Sequence, residues 1–257
     1  MNLIGKKILI TGAAGRIGFE TAKSCLKNGA KLVLADINKE LLNKFNSNPE
    51  FNSFSEKFYT YEIDLRNNSK LRDLILFSDK ALGGINGAVH CAYPVSNNWG
   101  ARIEELNEND LNFHLSTQLG GAIFFSKLIM KYFVDNDGGD LIHISSIQGL
   151  GAPKFEHYDG TSMHSPIEYT AIKAAIIAMT KWLAKYYRNN NIRVNCVSPG
   201  GILDNQPDKF LKRYRESCFN FGMLNSSQVS DVITFLLASN SDAINGQNIV
   251  VDDGWSI

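Results

Sequence analysis

The feature that most constrains the fold is a regular alternation of short apolar segments with longer segments of helical periodicity. The short segments are apolar at nearly every position, which indicates strands that are buried on both faces. Strands that alternate with helices predict a parallel sheet with helices on both sides. We therefore predict an α/β fold of three layers, a doubly wound parallel sheet of about seven strands.

The predicted elements cover the whole chain without a linker or a repeat, so residues 1–257 are predicted to form one domain. Residues 43–54, rich in Asn and Ser around Pro49, are interpreted as a surface connection. Sheets of this type bind ligands at the carboxyl ends of their strands. The predicted strands are 7–11, 31–36, 58–63, 87–90, 141–144, 193–197 and 248–251, and the predicted helices include 19–27, 111–133, 168–187 and 229–238.

Composition argues against several classes of partner. The 26 basic residues balance 26 acidic ones, so we expect no nucleic acid partner. No apolar stretch is long enough to cross a bilayer, and no leader peptide is evident, so we expect a cytoplasmic protein that does not enter a membrane. The histidines are dispersed, as are the cysteines, which predicts reduced thiols and no metal site; the cysteines are Cys25, Cys91, Cys196 and Cys218.

The turn after the first strand carries glycines at positions 12, 15 and 18, immediately before a helix. Such a turn lets backbone N–H groups approach a pyrophosphate, although a tight turn alone would also explain it. Asp36 ends the second strand, where a carboxylate binds ribose hydroxyls and repels a 2′-phosphate. NAD is therefore predicted over NADP. Arg16 is the exception, since a cation near this turn could meet a 2′-phosphate.

Tyr169 and Lys173 lie four residues apart in a predicted helix and therefore share one face. A nearby ammonium favours phenolate over phenol, so it would bring the tyrosine pKa closer to the range of a general acid or base. By themselves these two residues are more often an ordinary amphipathic pair.

Together these residues resemble a classical short-chain dehydrogenase/reductase over almost the entire chain. Further shared features follow the third, fifth, sixth and seventh strands: Asp64-Leu65, Ser145-Ser146-Ile147-Gln148-Gly149, Ser198-Pro199-Gly200, Phe235 to Ser239, Asn245-Gly246-Gln247 and Val251 to Gly254. The resemblance implies a Rossmann fold that binds NAD(P), with substrate loops at the carboxyl ends of the strands.

The resemblance also implies roles for individual residues. Tyr169 would exchange a proton with the substrate oxygen, and Ser146, chosen over Ser145 because Gly149 follows it by three, would orient that oxygen. Lys173 would lower the tyrosine pKa and hold the nicotinamide ribose. The implied cofactor contacts are Gly12, Gly15, Arg16, Ile17, Gly18, Asp36, Ile37, Asp64, Leu65, Ala92, Tyr169, Lys173, Pro199, Gly200 and Ile202.

Several positions depart from the family pattern. Arg16 replaces the middle glycine, and the resulting spacing is typical of extended members that include epimerases and dehydratases. Gln118 stands where the family has a relay asparagine, with Thr117 as the alternative register, and would be the fourth catalytic residue. Asp204 takes the place of a threonine that contacts the cofactor. His90 begins a changed motif after the fourth strand and is interpreted as structural.

Residues 151–166 lengthen the connection between Ser146 and the tyrosine motif beyond what is usual in the family. The segment is rich in hydrogen-bonding side chains, which favours a polar substrate; an oligomer-contact loop is the alternative. Lys154, His157 and His164 are the predicted substrate contacts.

A narrower resemblance is to bacterial oxidoreductases of flagellin modification and surface-glycan biosynthesis. It implies an NAD-dependent enzyme that interconverts a secondary alcohol and a ketone on a sugar or sugar phosphate. There are two alternatives. One is an epimerase or dehydratase with tightly bound NAD, and the other is a regulatory protein that binds the cofactor without turnover. Apolar residues on several faces of two helices, with the last residues Trp255 to Ile257, favour a homodimer or homotetramer.

Overall fold

The computed structural model describes residues 1–257, except for the side chain of Asn68. Within this part, seven strands form one parallel sheet in the order β3-β2-β1-β4-β5-β6-β7, which confirms the predicted fold class. The strands are β1 (Lys7–Thr11), β2 (Lys31–Asp36), β3 (Phe58–Glu62), β4 (Gly87–His90), β5 (Gly139–Ile144), β6 (Ile192–Pro199) and β7 (Asn248–Val251). The helices are α1 (Arg16–Lys27), α2 (Lys39–Ser47), α3 (Leu71–Leu82), α4 (Glu108–His114), α5 (Gly121–Asp135), α6 (Ile167–Tyr186), α7 (Asp208–Glu216) and α8 (Ser226–Leu237).

The core lies on both sides of this sheet. Successive strand residues point to opposite faces, so Ile8 and Ile10 pack with α1, α2 and α8, whereas Leu9 packs with α3, α5 and α6. Both faces are covered, which explains why the strands are apolar at nearly every position.

The strand order reverses between β1 and β4, because the chain runs outward to β3 and then returns past β1. Loops that leave the carboxyl ends of these two strands diverge to opposite faces of the sheet and open a crevice. The glycine turn follows β1 and Cys91 follows β4, so both lie at the mouth of this crevice.

The interpretation of residues 43–54 as a surface connection is wrong. The segment contains the end of α2 and a 3₁₀ turn over Pro49–Phe54. Phe45 and Phe51 are fully buried and pack edge to face against each other and on Phe19. The many Asn and Ser residues of this segment made its short apolar helical pattern difficult to recognise in the sequence.

The helix predicted over 111–133 is interrupted. It begins earlier, at Glu108, and passes through a π-helical turn at Leu115–Gly120 before α5. Such turns are frequent at functional sites. The other predicted helices differ from the structure by one to three residues at their ends, and β5 and β6 extend beyond their predicted bounds.

Candidate active site

A cavity of about 900 Å³ runs along the carboxyl ends of the strands. It brings together every predicted site residue except Lys154: Gly12, Gly15, Arg16, Ile17, Gly18, Asp36, Ile37, Asp64, Leu65, Ala92, Gln118, Ser146, His157, His164, Tyr169, Lys173, Pro199, Gly200 and Ile202. The volume is at the upper end of the range for small-molecule sites.

The glycine turn is built for close backbone contact. Gly12 has a φ of +66°, and a Cβ there would lie 2.6 Å from the backbone nitrogen of Ala92. A Cβ at Gly18 would collide with the carbonyl oxygen of Gly12. The N-cap of α1 is Gly15, which provides no side-chain cap, so the first N–H groups of the helix remain available to an anion. These features fit the pyrophosphate of a dinucleotide.

Asp36 lies beside this turn at the end of β2. Its Oδ2 accepts a hydrogen bond from the backbone nitrogen of Ala14 at 2.9 Å, and its Oδ1 accepts one from that of Asn38 at 3.0 Å. The carboxylate is therefore held in a fixed position in the cavity wall, where it can accept hydrogen bonds from ribose hydroxyls.

Asp64 follows β3 and also lines the cavity. Its carboxylate accepts hydrogen bonds from the backbone nitrogen, Nε and Nη2 of Arg66. The side-chain hydrogen bond from Arg66 lowers the pKa of Asp64 below its usual range. The residue stays ionised and its oxygens are largely occupied by its neighbour.

Ser146, Tyr169 and Lys173 converge because α6 packs closely against the end of β5. The Lys173 ammonium donates a hydrogen bond to the carbonyl oxygen of Ile144 at 3.0 Å, and the Ser145 hydroxyl donates one to the carbonyl of Lys173 at 2.7 Å. A Cβ at Gly149 would lie 2.7 Å from the carbonyl carbon of Lys173, so this glycine is what permits the contact.

Burial shifts the pKa of both titratable groups in this trio. It raises the pKa of the Tyr169 phenol, and a hydrogen bond with Ser146 offsets part of that rise. Burial also lowers the pKa of Lys173 to about 8, with the nearby thiols of Cys196 and Cys91 acting in the opposite direction. The predicted lowering of the tyrosine pKa is therefore not seen in this structure, where loss of solvation raises the pKa of Tyr169.

Gln118, rather than Thr117, lies in the cavity wall. It is buried in the π-helical turn, and its Nε2 donates a hydrogen bond to the carbonyl oxygen of Pro94 at 2.8 Å. Its Oε1 has no hydrogen-bond partner among the described residues. The Thr117 hydroxyl instead donates to the carbonyl of Phe113 in its own helix. The relay role of Gln118 stays a prediction.

Arg16 and Asp204, two departures from the family pattern, form an ion pair with each other. Arg16 is the first residue of α1, and Asp204 follows β6. The pair joins the glycine turn to the loop after β6, so the Asp204 carboxylate is directed at a protein cation.

The side of the cavity that is predicted to bind the substrate is walled by an aromatic cluster that the sequence did not predict. We call the following residues the aromatic wall: Tyr158, Phe210, Tyr214 and Trp255, which pack around Ile147 and Met163. Trp255 is buried in this wall, whereas Ile257 at the end of the same segment is exposed, so the role of residues 255–257 in subunit contacts stays a prediction. The insertion 151–166 thus folds over the cavity of its own chain.

The three predicted substrate contacts occupy different places. His164 lines the cavity, and its Nε2 lies 3.4 Å from Nε of Arg102. His157 also lines it but is buried, hydrogen-bonded to the Ser217 hydroxyl at 2.9 Å, and burial lowers its pKa. Lys154 is not in the lining; its ammonium lies 4.8 Å from the ring centroid of Trp255. The role of Lys154 as a substrate contact stays a prediction; its ammonium faces the ring of Trp255, which itself lines the cavity.

Two residues next to Tyr169 and one hydrogen-bonding group were also missed. The rings of Tyr93 and Trp99 stand edge to face with the Tyr169 ring, at 5.7 Å and 5.9 Å between centroids. Gln148 links the insertion to the site, accepting a hydrogen bond from the Ser165 hydroxyl at 2.6 Å. Gln148 is part of the motif around Ser146, and Tyr93 ends the changed motif that begins at His90, so the positions of both could have been inferred. Trp99 belongs to no motif.

His90 has a structural role, as interpreted from the sequence. Its Nδ1 lies 2.8 Å from the Thr11 hydroxyl, and its ring stacks on Phe125. Burial lowers its pKa to about 3, so it is neutral at physiological pH. In the described part of the chain, no three His, Cys, Asp or Glu side chains cluster as metal ligands would. Among the same residues, we find no helix with the length and apolar character needed to cross a membrane.

Comparison with known proteins places these features in a family. A family model described as enoyl-(acyl carrier protein) reductase matches residues 12–256. A post-translational flagellin modification protein A from Campylobacter coli is 40% identical, covering 99% of this chain and 100% of that protein. A 7α-hydroxysteroid dehydrogenase from Bacteroides fragilis is 30% identical over 98% and 95% of the two chains.

A solved structure supports the same assignment. A short-chain dehydrogenase from Leptospira borgpetersenii with bound NAD⁺ superposes with a TM-score of 0.86 and 28% identity, covering 98% of this chain and 93% of that one. The family model, the relatives and this neighbour agree with one another and with the observed fold. The chain belongs to the short-chain dehydrogenase/reductase family of oxidoreductases.

Proposed function

We propose that the protein is an NAD-dependent oxidoreductase that interconverts a secondary alcohol and a ketone. The observation that carries this proposal is the convergence of Ser146, Tyr169 and Lys173 in the cavity that also contains the glycine turn and Asp36. A proton-transfer group, an orienting hydroxyl and a dinucleotide cradle in one cleft are what coupled hydride and proton transfer require.

The cofactor would bind along the glycine turn with its adenosine ribose at Asp36. When bound, the nicotinamide ring supplies or accepts the hydride. The fixed carboxylate of Asp36 suits two ribose hydroxyls and would repel a 2′-phosphate, which supports NAD over NADP. The Arg16 cation is paired with Asp204 and is therefore not directed at Asp36.

Tyr169 would act as the acid in ketone reduction and as the base in alcohol oxidation. Its raised pKa keeps the phenol protonated at neutral pH, ready to donate its proton to the substrate carbonyl oxygen. The phenolate left behind would be stabilised by the Lys173 ammonium, whose Nζ lies 5.5 Å from the centre of the Tyr169 ring. Ser146 would hold the same substrate oxygen by a hydrogen bond.

The substrate is proposed to be a sugar or sugar phosphate in glycan biosynthesis of the flagellin-modification type. The flagellin modification relative from Campylobacter coli supports this class. The cavity offers hydrogen-bonding groups, Gln148, His164 and Ser165, beside the aromatic wall. Polar groups for hydroxyls next to aromatic faces for C–H groups suit a carbohydrate ring.

A second candidate is an epimerase or dehydratase that keeps NAD bound and oxidises its substrate only transiently. The spacing of Gly12, Gly15 and Gly18 favours it. A regulatory protein that binds the cofactor without turnover is a third possibility, which the replaced relay residue Gln118 motivates.

The first test is a fluorescence titration of the purified protein with NADH and with NADPH, followed by an absorbance assay for NADH with sugars and sugar phosphates. We expect tighter binding of NADH than of NADPH and stoichiometric NADH release from an oxidised sugar. Turnover without NADH release would favour the second candidate. Tight binding with no turnover of any substrate would favour the regulatory alternative.

We also propose that the protein acts in the cytoplasm as a homodimer or homotetramer. Large apolar side chains on α5 and α6 are exposed, among them Phe124 and the stacked pair Trp182 and Tyr186. Such a surface is typical of a subunit contact. Light scattering coupled to size exclusion measures the subunit number, and a monomer at micromolar concentration would contradict this proposal.

A further inference from the structure

Two residues that replace family residues on opposite sides of the cleft contact each other. Arg16 takes the place of the middle glycine in the turn after β1, and Asp204 takes the place of a threonine in the loop after β6. They are far apart in sequence, yet the structure pairs their side chains. The positive charge of Arg16 and the negative charge of Asp204 neutralise each other at this contact. We therefore ask what Asp204 does to the behaviour of Arg16.

Without Asp204, Arg16 would be free to turn toward the adenosine side of the cleft. It lies two residues after Ala14, whose backbone nitrogen binds the carboxylate of Asp36. Asp36 marks the place of the adenosine ribose in the proposed cofactor complex, and an NADP 2′-phosphate would stand next to it. A flexible guanidinium within reach of a phosphate would be a well-suited partner for it.

We propose that Asp204 is a specificity-determining residue that acts through Arg16. Its carboxylate holds the guanidinium on the β6 side of the cleft and neutralises its charge, so that Arg16 cannot attract a 2′-phosphate. Selectivity for NAD over NADP then has two sources. Asp36 repels the 2′-phosphate directly, and Asp204 keeps the Arg16 guanidinium paired so that it does not bind the 2′-phosphate. This inference rests on the proposed function, because it requires a nicotinamide dinucleotide in the cleft.

The expected effect is modest because the pair is solvent-accessible. The Arg16 side chain is 57% exposed and that of Asp204 is 34% exposed. Exposed pairs of this kind change equilibria by about two- to five-fold and weaken as salt rises. Asp204 is a positioning residue here, since it would act on cofactor selection only through Arg16.

The test measures the dissociation constants of NADH and NADPH by fluorescence at low ionic strength, in wild type and in Asp204→Asn. We expect the ratio of the NADPH constant to the NADH constant to fall by about two- to five-fold in Asp204→Asn. In the Arg16→Gln background, the same Asp204→Asn change should leave that ratio unaltered, because the cation is gone. Asp135→Asn breaks the exposed pair between Lys131 and Asp135 on α5 and serves as the matched control, with no expected change.

An unaltered ratio in Asp204→Asn would overturn the inference, and so would an equal fall in the Arg16→Gln background, which would mean that Asp204 acts by direct repulsion. Asp204→Ser provides a second variant if the first is poorly expressed. Absence of NADH binding by the wild-type protein would instead overturn the proposed function. NADH binding with an unchanged ratio defeats this inference alone.

Discussion

The two ends of the cleft, which we propose bind the cofactor and the substrate, are built in opposite ways. The cofactor end consists of backbone turns and carboxylates that directly follow β1, β2 and β3, and its geometry is set within a few residues, as in the contact of Asp36 with Ala14. The substrate end consists of side chains from the insertion 151–166, from α7 and from Trp255, which are distant in sequence and meet in the aromatic wall.

This difference shows how one scaffold can combine a fixed cofactor site with a variable substrate site. Backbone geometry at the cofactor end tolerates few changes, because Gly12 and Gly18 have no room for a side chain. The substrate end depends on packing among loops, where many combinations of side chains fill the same volume. The proposed reacting groups, Tyr169 and Lys173, lie at the boundary between the two ends.

The largest expected effect is at that boundary. In Tyr169→Phe we expect turnover to fall by about 10²- to 10⁴-fold, because the proton donor is lost, while the NADH dissociation constant stays within about two-fold. Tyr158→Phe in the aromatic wall is the matched control: it removes a hydroxyl that accepts a weak hydrogen bond, at 3.4 Å, from Gln148 and should lower turnover only slightly. Steady-state kinetics and fluorescence titration measure both quantities. A Tyr169→Phe protein of full activity would refute the catalytic assignment.

Adding a methyl group at Gly12 tests whether the cofactor end depends on close contact between backbone segments. Gly12→Ala should lower the free energy of unfolding by about 2–4 kcal/mol and weaken NADH binding, since φ is positive and the new Cβ would meet Ala92. Gly151→Ala, in the insertion, places its Cβ in open space and should be nearly neutral. Urea unfolding compares the two variants. Equal stability of both would contradict the steric argument.

Replacing the buried ammonium at the boundary should stabilise the protein while abolishing function. The pKa of Lys173 falls from 10.5 to about 8 on folding, so the charged form is disfavoured in the native state. Lys173→Met should raise the free energy of unfolding by about 1–3 kcal/mol at neutral pH, after allowing for the lost hydrogen bond to Ile144.

The pH dependence of that gain follows from the sign of the shift. Below pH 8 the lysine is charged in both states and the gain is complete. Between about 8 and 10.5 the folded lysine is neutral, so wild-type stability rises with pH and the gain disappears. Thermal unfolding of the wild type and of Lys173→Met between pH 7 and about pH 10.5 measures the difference in stability between them. A difference that stays constant over this pH range would contradict the lowered pKa of Lys173.

The smallest expected effect is at the substrate end. Ser165→Ala removes the hydrogen bond to Gln148 and should raise KM for the proposed sugar substrate by about two- to ten-fold, with NADH binding unchanged. Ser47→Ala, at the exposed end of α2, is the control for a lost surface hydroxyl. If Ser165→Ala altered NADH affinity as much as KM, the two ends of the cleft would not be independent.

The parts of the site that sequence predicted are those governed by short-range rules. The glycine turn, Asp36, Ser146, Tyr169 and Lys173 all line one cavity, because each follows from strand ends or from helical spacing. The parts that it missed depend on distant contacts. The contact between the Lys154 ammonium and Trp255, about a hundred residues later in the chain, is one example.

The amino-acid sequence by itself determined the parallel sheet, the place of the crevice and the residues able to transfer a proton there. Periodicity, glycine positions and helical spacing act over a few residues and need no knowledge of the rest of the chain. Only the tertiary structure decided the pairing of Arg16 with Asp204, the aromatic wall and the direction of the Tyr169 pKa. Long-range packing sets which side chains meet and how much water each loses, and neither quantity is encoded locally.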